Sequence, residues 1–304
     1  MGAFFTELAK KLAERWVTLL LIPGALLTAA VVIGLQVMQR HALDYSQLTR
    51  AVVDTATAIA GQRPGIQAML VIAVLLAATG AGLVVQALAG LTRLLWLGPW
   101  PRPLTPLRRW RVASRRDRWT HHVDRRRRLE QDFPKESHTP DQQQEIDAAA
   151  DRANRLAMAR PARPTWMGDR VHAVEQIARD RYGLDLAFGW PRLWLVLPDT
   201  ARADITSAHA AFAAAIAAAT WAWPYLLLGV LLWWPAALAG IGIGLTGWAR
   251  ARAAITDLTA LSEAALDLHA RTLAITLGVA KPDSAGPLTI TEGEQITALI
   301  RKGR

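Results

Sequence analysis

Apolar residues in this chain are concentrated in three blocks, and nearly all of the charge lies between the blocks. The longest block, residues 208–249, contains no Asp, Glu, Lys or Arg. A continuous helix of that length would be roughly twice as long as the ~30 Å hydrocarbon core of a bilayer. Segregation of apolar and charged residues is typical of membrane proteins. We therefore expect this block to form a tight helical hairpin that crosses a bilayer twice.

The apolar pattern predicts an all-α integral membrane protein with four transmembrane helices arranged as two hairpins. Residues 1–15 place Phe4, Phe5, Leu8 and Leu12 at helical spacing, which is typical of an amphipathic helix lying at a membrane surface. The sequence shows no alternating pattern of the kind that predicts strands. The predicted spans are residues 16–37, 66–91, 208–232 and 235–249.

The turn of the last hairpin is placed by its tryptophans and prolines. Trp233 and Trp234 suit a membrane–water interface, and Pro235 suits the first turn of a new helix. A turn at Trp223 and Pro224 is the alternative, although it would shorten the third span. With the first choice, Pro224 lies inside the third span and predicts a kink there.

The connecting segments carry the polar residues. Residues 38–65 are predicted to form an external loop, and residues 92–207 a helical cytosolic domain. The fourth span is expected to continue as a cytosolic helix to residue 277. A tail with one short helix, residues 278–304, follows it.

Positive charge sets the expected orientation in the plasma (inner) membrane. Eleven arginines but only two acidic residues lie between Arg102 and Arg128, and Arg250 and Arg252 follow the last span. Cytoplasmic flanks of membrane proteins are enriched in Lys and Arg. Four spans place all positive segments and both termini in the cytoplasm. Three spans would put the tail outside, directly after two arginines.

Small residues recur at helical spacing within the predicted spans. Such residues let helices approach closely in a bilayer, where hydrophobicity gives helices no drive to associate. We expect the glycines of the fourth span to face Ala211, Ala215 and Ala218 of the third. The residues predicted to pack helices are Ala78, Gly82, Gly240, Gly244 and Gly247.

The sequence offers little for catalysis. The chain has no Cys, which excludes disulfides, thiolate metal sites and Cys nucleophiles. No span has an ionisable residue in its core, which argues against a coupled transporter. His121 and His122, and His172 with Glu175, do not match zinc spacings and are interpreted as solvated helix faces. We expect no catalytic residue, no cofactor and no metal, and therefore no enzyme.

The arginine-rich segment of the predicted cytosolic domain has three interpretations. The first is an orientation determinant that contacts anionic lipid headgroups. The second is a docking surface for an acidic protein partner. Nucleic-acid binding is the weakest, because no known module is present. The candidate lipid- or partner-facing residues are Arg108, Arg109, Arg111, Arg115, Arg116, Arg118, Arg125, Arg126, Arg127 and Arg128.

The segment of residues 184–198 is too short to span a bilayer and too apolar for an exposed loop. One interpretation is a re-entrant or interfacial helix that packs under the bundle. The other is a gating or partner-docking element coupled to the third span. Its candidate residues are Trp190, Pro191, Trp194 and Leu197.

Three short motifs carry a resemblance. The chain reads PTWMGD at residues 164–169, RYGLD at 181–185 and WPRL at 190–193. With these motifs and the DLHARTLAITLG segment at 267–278, about two-thirds of the chain resembles a group of bacterial multi-pass membrane proteins with a cytosolic PTxxGN…RYGLD…WPRL…LP pattern. Asp169 stands where the group has Asn. The resemblance implies the architecture and no activity.

The sequence therefore favours a non-enzymatic membrane scaffold or adaptor, which we expect to be homo-oligomeric. Its basic cytosolic domain would face anionic lipid or a cytosolic protein partner. The alternative is an oligomeric channel or membrane-permeabilising effector gated by residues 184–198. A membrane-embedded enzyme or coupled transporter is the weakest hypothesis.

Overall fold

The computed structural model describes residues 21–37, 44–133 and 139–301, together with isolated positions in the N-terminal part of the chain. The described residues form an all-α protein, and no strand occurs among them. The predicted amphipathic helix at residues 1–15 and the start of the first span lie outside the described residues, apart from Glu7, Lys10 and Val17.

The helices of the described part are numbered here in chain order. Arg102–Leu104 forms a short 3-10 turn between the third and fourth of them. The α-helices are α1 (Ile22–Val37), α2 (Tyr45–Ala60), α3 (Pro64–Leu97), α4 (Thr105–Asp132), α5 (Pro140–Leu156), α6 (Trp166–Tyr182), α7 (Leu186–Val196), α8 (Asp199–Thr220), α9 (Ala222–Leu231), α10 (Trp234–Thr276) and α11 (Ile290–Arg301).

The chain divides into two compact units. The first unit combines residues 1–92 with residues 213–251. The second combines residues 93–212 with residues 252–304. The predicted spans fall mainly in the first unit and the predicted cytosolic segments mainly in the second.

Small residues pack the helices of the first unit. Ala78 is fully buried on α3, and a Cβ added at Gly24 of α1 would overlap the Ala78 carbonyl. Gly82 of α3 is also buried. The two helices therefore approach through backbone contacts that larger side chains would prevent.

The last apolar block forms a hairpin with its turn at Leu232 and Trp233. Helix α9 ends at Leu231 and α10 begins at Trp234, which is where the sequence places the turn. A Cβ at Gly240 would lie 2.9 Å from the Leu226 nitrogen, and one at Gly247 would overlap Ala219. Gly244 has more room, with Ala222 Cβ at 3.4 Å. The predicted glycine face is therefore a packing face, but its partners differ from the predicted alanines.

A break between α8 and α9 marks the position where Pro224 predicts a kink. Helix α8 ends at Thr220, whose hydroxyl donates to Ile216 O at 2.7 Å and lies 3.0 Å from Thr92 Oγ1. Trp223 Nε1 also donates to Thr92 Oγ1 at 3.2 Å. The polar side chains of these apolar helices thus form hydrogen bonds with one another, because their apolar surroundings offer few other partners.

Two helical stretches of the described residues are long and apolar enough to cross a membrane. One begins at Pro64 and includes α3, and the other is Asp199–Leu231. Ile22–Val37 is apolar but shorter. Only 17% of the most apolar window of the first stretch is buried, and Met69 and Leu76 are among its exposed side chains.

The core of the second unit is built from α6, α7, α10 and α11. Leu184, Leu193, Leu266 and Ile296 have no exposed surface. A Cβ at Gly293 of α11 would overlap the Tyr182 carbonyl, so α11 lies directly on the end of α6. The short helix predicted in the tail is therefore part of this core.

Candidate functional site

Helix α4 carries the predicted basic residues, but the structure divides them into two groups. Thr139 caps the next helix through a capping box with Gln142, and α5 then packs along α4. Ile146, Ala149 and Ala153 form the buried side of α5, as their spacing predicts. This packing gives α4 one face toward protein and leaves the other exposed.

Arg115 belongs to the first group because it is buried, in contrast to its predicted lipid-facing role. Its guanidinium nitrogens lie 2.8 and 2.9 Å from Asp169 Oδ2, and the two side chains are 10% and 3% exposed. The Nη2 nitrogen, which lies 2.8 Å from Asp169 Oδ2, also donates to Leu156 O at 3.0 Å. A buried guanidinium is stable only with such partners, so Arg115 holds the fold together.

Two neighbouring arginines also bind the segment between α5 and α6. Arg111 donates to Pro164 O at 3.4 Å, and Arg116 donates to Pro161 O at 3.3 Å. Trp119 Nε1 donates to Ala157 O at 3.0 Å. The first half of α4 thus satisfies carbonyl groups of a connecting segment that forms no helix of its own.

The second group lies toward the C-terminal end of α4 and is exposed. Arg126 pairs with Glu130 at 2.8 Å and Arg127 lies 3.7 Å from Asp124, with arginine side chains 46% and 69% exposed. These pairs are local to the helix and contribute little to stability. Arg109 is likewise exposed and Arg108 half-buried. The exposed members of this group are Arg118, Arg125, Arg126, Arg127 and Arg128.

The PTWMGD motif connects these elements. Thr165 caps α6 by accepting from Gly168 N, and its hydroxyl donates to Trp96 O at 2.5 Å. Asp169 accepts from the backbone nitrogens of Ala162 and Arg163 at 2.8 and 2.7 Å as well as from Arg115. A Cβ at Gly168 would overlap Leu97 O. The motif is therefore a structural clamp.

The RYGLD motif performs a similar task for the tail. Gly183 adopts φ +63° and ends α6, as its position predicts. Asp185 caps α7 and pairs with Arg301 at 2.6 Å, while its own nitrogen donates to Thr297. Burial and a hydrogen bond to Asp267 raise the pKa of Tyr182 to about 12.

A cavity of about 440 Å³ lies beside α7, and we call it the tryptophan cavity. Its walls come from α6, α7, α8 and α10. Trp190 and Trp194 form one wall, with ring centroids 6.2 Å apart and ring planes at 43°. Two residues of the predicted gating segment, Trp190 and Trp194, thus lie together on one wall of a cavity that is partly open to the outside.

The other two residues of that segment do not line the cavity. Leu197 is buried in the core, and Pro191 is exposed inside α7. Leu195, on the same helix, is 74% exposed. Helix α7 therefore has one side in the core, one side on the cavity and an apolar residue left outside.

The cavity is apolar with a few polar groups. Val171, Val174, Leu186, Ile205 and Leu258 supply most of the apolar wall. Glu175, Thr206, His209, Thr259 and Ser262 supply the polar groups. His172 Nδ1 lies 3.0 Å from a Glu175 carboxylate oxygen. This combination of apolar walls and convergent polar groups is typical of small-molecule sites.

Sequence reasoning missed His209, Thr206 and Ser262 as members of a site. They lie on two helices far apart in the chain, and none forms a recognisable motif. The described residues contain no cluster of three His, Asp or Glu side chains that could hold a metal ion. Comparisons of the chain with protein-family models, with curated proteins and with solved structures found no match.

Proposed function

We propose that this chain is a non-enzymatic scaffold of the plasma membrane that holds an exposed arginine cluster against anionic lipid headgroups. The cluster consists of Arg118 and residues 125–128. The observation that carries the proposal is the division within α4. Arg111, Arg115 and Arg116 bind other parts of the fold, whereas the cluster makes only local contacts and remains exposed.

Electrostatics supports lipid as the partner. The formal net charge of the chain is +10, and the cluster concentrates positive charge on one end of a helix. Basic residues near an anionic leaflet each contribute about 1 kcal/mol to attraction, and the effect decays within a Debye length. Guanidinium groups also bind phosphate oxygens in a bidentate manner. If the charge of the lipid does not affect the cluster, an acidic protein partner is the remaining interpretation.

The apolar helices support anchoring in a bilayer. Large side chains along α3, including Met69, Val71 and Leu76, are exposed in the chain alone. Burying a Leu- or Val-sized side chain away from water is worth about 1.5–3 kcal/mol, so an unbroken row of them is costly in water. Hydrocarbon removes that cost. The proposed architecture retains four spans, with the end of α8 and α9 supplying the third and the start of α10 supplying the fourth.

The proposed topology can be tested directly because the chain contains no Cys. Single substitutions Ala60→Cys, Thr120→Cys and Ala285→Cys place a thiol at exposed positions. In intact cells, a membrane-impermeant maleimide should label the first and not the other two. Labelling of the second or third variant would contradict the four-span orientation.

The lipid contact is tested with a fluorophore at the same Thr120→Cys position. The labelled full chain is placed in nanodiscs of phosphatidylcholine with or without phosphatidylglycerol. Anionic lipid should shift the emission to shorter wavelength, and 0.5 M salt should reverse the shift because salt screens exposed charge. An emission that responds to neither variable would contradict lipid binding.

A further inference from the structure

The tryptophan cavity has the size of a ligand site. Its volume of about 440 Å³ lies within the range of roughly 300–1,000 Å³ usual for small-molecule sites. Four helices of the second unit contribute to its walls, so its shape does not depend on one flexible segment. The chemistry of the wall then determines which class of ligand fits.

The charge on the wall is negative. Among the described residues that line the cavity, Glu175 is the one with a formal charge when His is neutral, and no Lys or Arg is among them. This is notable in a chain with a net charge of +10. Arg170 is not among the lining residues, although its Nε donates to Thr259 Oγ1 at 3.0 Å.

The hydroxyl groups of the wall present acceptors to the cavity. Thr206 donates its hydrogen to Arg202 O at 2.7 Å, and Ser262 donates to Leu258 O at 2.7 Å. Thr259 donates to Ile255 O at 2.9 Å. Each hydroxyl has one hydrogen, so Thr206 and Ser262 retain only lone pairs for a ligand, whereas Thr259 already accepts from Arg170. Acceptors favour a cationic ligand over an anionic one.

The tryptophan pair adds a surface suited to a cation. The face of an indole ring attracts ammonium and guanidinium groups, and aromatic cages bind quaternary ammonium in this way. The same unit already shows the contact, because Arg252 lies 4.2 Å from the Trp166 ring centroid. In the described part of the chain, no arginine or lysine is recorded over the Trp190 or Trp194 ring.

We propose that the tryptophan cavity binds an organic cation in which an ammonium group is attached to a small apolar body. The ammonium would contact the Trp190 and Trp194 rings on one side and the Glu175 carboxylate on the other. The apolar body would contact Val174, Ile205 and Leu258. The shared chemistry, an alkylated ammonium on an apolar group, occurs both in free amines and in choline lipid headgroups.

The binding test uses the purified full chain in dodecyl maltoside, a neutral detergent, and isothermal titration calorimetry. The probe is benzyltrimethylammonium, and its neutral isostere neopentylbenzene is the reference. We expect at least about tenfold tighter binding of the cation, as a desolvated cation–aromatic contact implies. Equal affinities, or no cation binding at millimolar concentration, would overturn the proposal.

Variants assign the binding to this cavity. Glu175→Gln keeps the shape of the side chain and removes its charge, so cation affinity should fall about tenfold while the neutral probe is unaffected. Asp180→Asn removes an exposed charge from the same helix and should change neither affinity. Trp194→Leu should weaken the cation more than the neutral probe. If that variant does not fold, Glu175→Gln alone decides, and unchanged cation affinity there refutes the proposal.

A competition step separates the two sources of the ligand. Short-chain phosphatidylcholine is added to the complex with benzyltrimethylammonium. Displacement assigns the site to the choline headgroup of a lipid. Continued probe binding assigns it to a free amine. The lipid contact of the arginine cluster is independent of both results, because it is measured at Thr120 on another helix.

Discussion

The middle and the C-terminal end of α4 carry the same residue type in opposite environments. Arg115 is buried against Asp169 and Leu156 O, whereas Arg126 and Arg127 are exposed and paired only within their own helix. A charge withdrawn from water must be matched by fixed partners, and those partners then depend on it. An exposed charge needs no such match and stays available for a ligand. Position in the packing, not residue type, therefore separates the arginines that are part of the fold from those that remain exposed.

The largest expected effect comes from removing the buried partner. Arg115→Ala leaves Asp169 buried and uncompensated and removes the donor to Leu156 O, which should cost about 3–5 kcal/mol. Thermal unfolding followed by circular dichroism measures the loss. The matched control is Arg118→Ala, an exposed residue on the same helix. Equal midpoints for the two variants would contradict the division of α4.

A substitution that leaves every charge in place tests the packing around Asp169. Gly168→Ala adds a Cβ that would overlap Leu97 O and displaces the clamp around Asp169. Overpacking of this kind costs typically about 1–3 kcal/mol. Gly65→Ala is the control, since a Cβ there meets no atom within 4 Å. Equal stability of the two variants would show that the clamp tolerates displacement.

A second ion pair of the same unit is intermediate in exposure between the buried Arg115–Asp169 pair and the exposed pairs of Arg126 and Arg127. Arg271 contacts Glu292 at 2.5 Å, and the side chains are 15% and 22% exposed. Hydrogen bonds from Thr289 and from Arg271 lower the pKa of Glu292 from 4.5 to about 2. The carboxylate therefore stabilises the fold above pH 4.5, and this contribution is lost as the pH falls toward 2.

Glu292→Gln tests that contribution. The difference in unfolding midpoint between the native chain and the variant should be largest at pH 7 and should narrow between pH 4.5 and pH 2. The effect should be smaller than that of Arg115→Ala, because the pair is less buried. A difference that stays constant across this range would remove Glu292 from the acid response.

The smallest effect on stability is expected at the exposed cluster. Replacing residues 125–128 with Gln should change the free energy of unfolding by no more than about 0.5 kcal/mol for each residue, as is usual for surface substitutions. Circular dichroism measures this. A large loss would mean that the cluster, like Arg115, is part of the fold.

Local features of the fold could be predicted from the sequence because they depend on neighbouring residues. Thr139, Gly183 and the buried side of α5 are examples. The burial of Arg115 could not be predicted, because its partner lies 54 residues away and any of the arginines of α4 had the same local environment. The packing of α11 in the core was missed for the same reason.

Once the turn of the last hairpin is known, the residues that face each other across the hairpin can be predicted from it. With the turn at residue 233, Gly240 must face Leu226 and Gly247 must face Ala219, because each pair lies at equal distance along the chain from the turn. The predicted alanines lie about two helical turns too far from it. The residues that line the tryptophan cavity could not be predicted in this way, because they come from four helices and share no sequence spacing.

Contact between the exposed arginine cluster and anionic lipid can be measured by comparing two variants. The Thr120→Cys chain labelled with a fluorophore is prepared with residues 125–128 changed to Gln. A second version instead carries Gln at four dispersed exposed arginines, Arg152, Arg155, Arg160 and Arg179. Both lose the same charge. We expect the emission shift caused by phosphatidylglycerol to vanish in the first and to persist in the second. An equal shift in both would contradict the account.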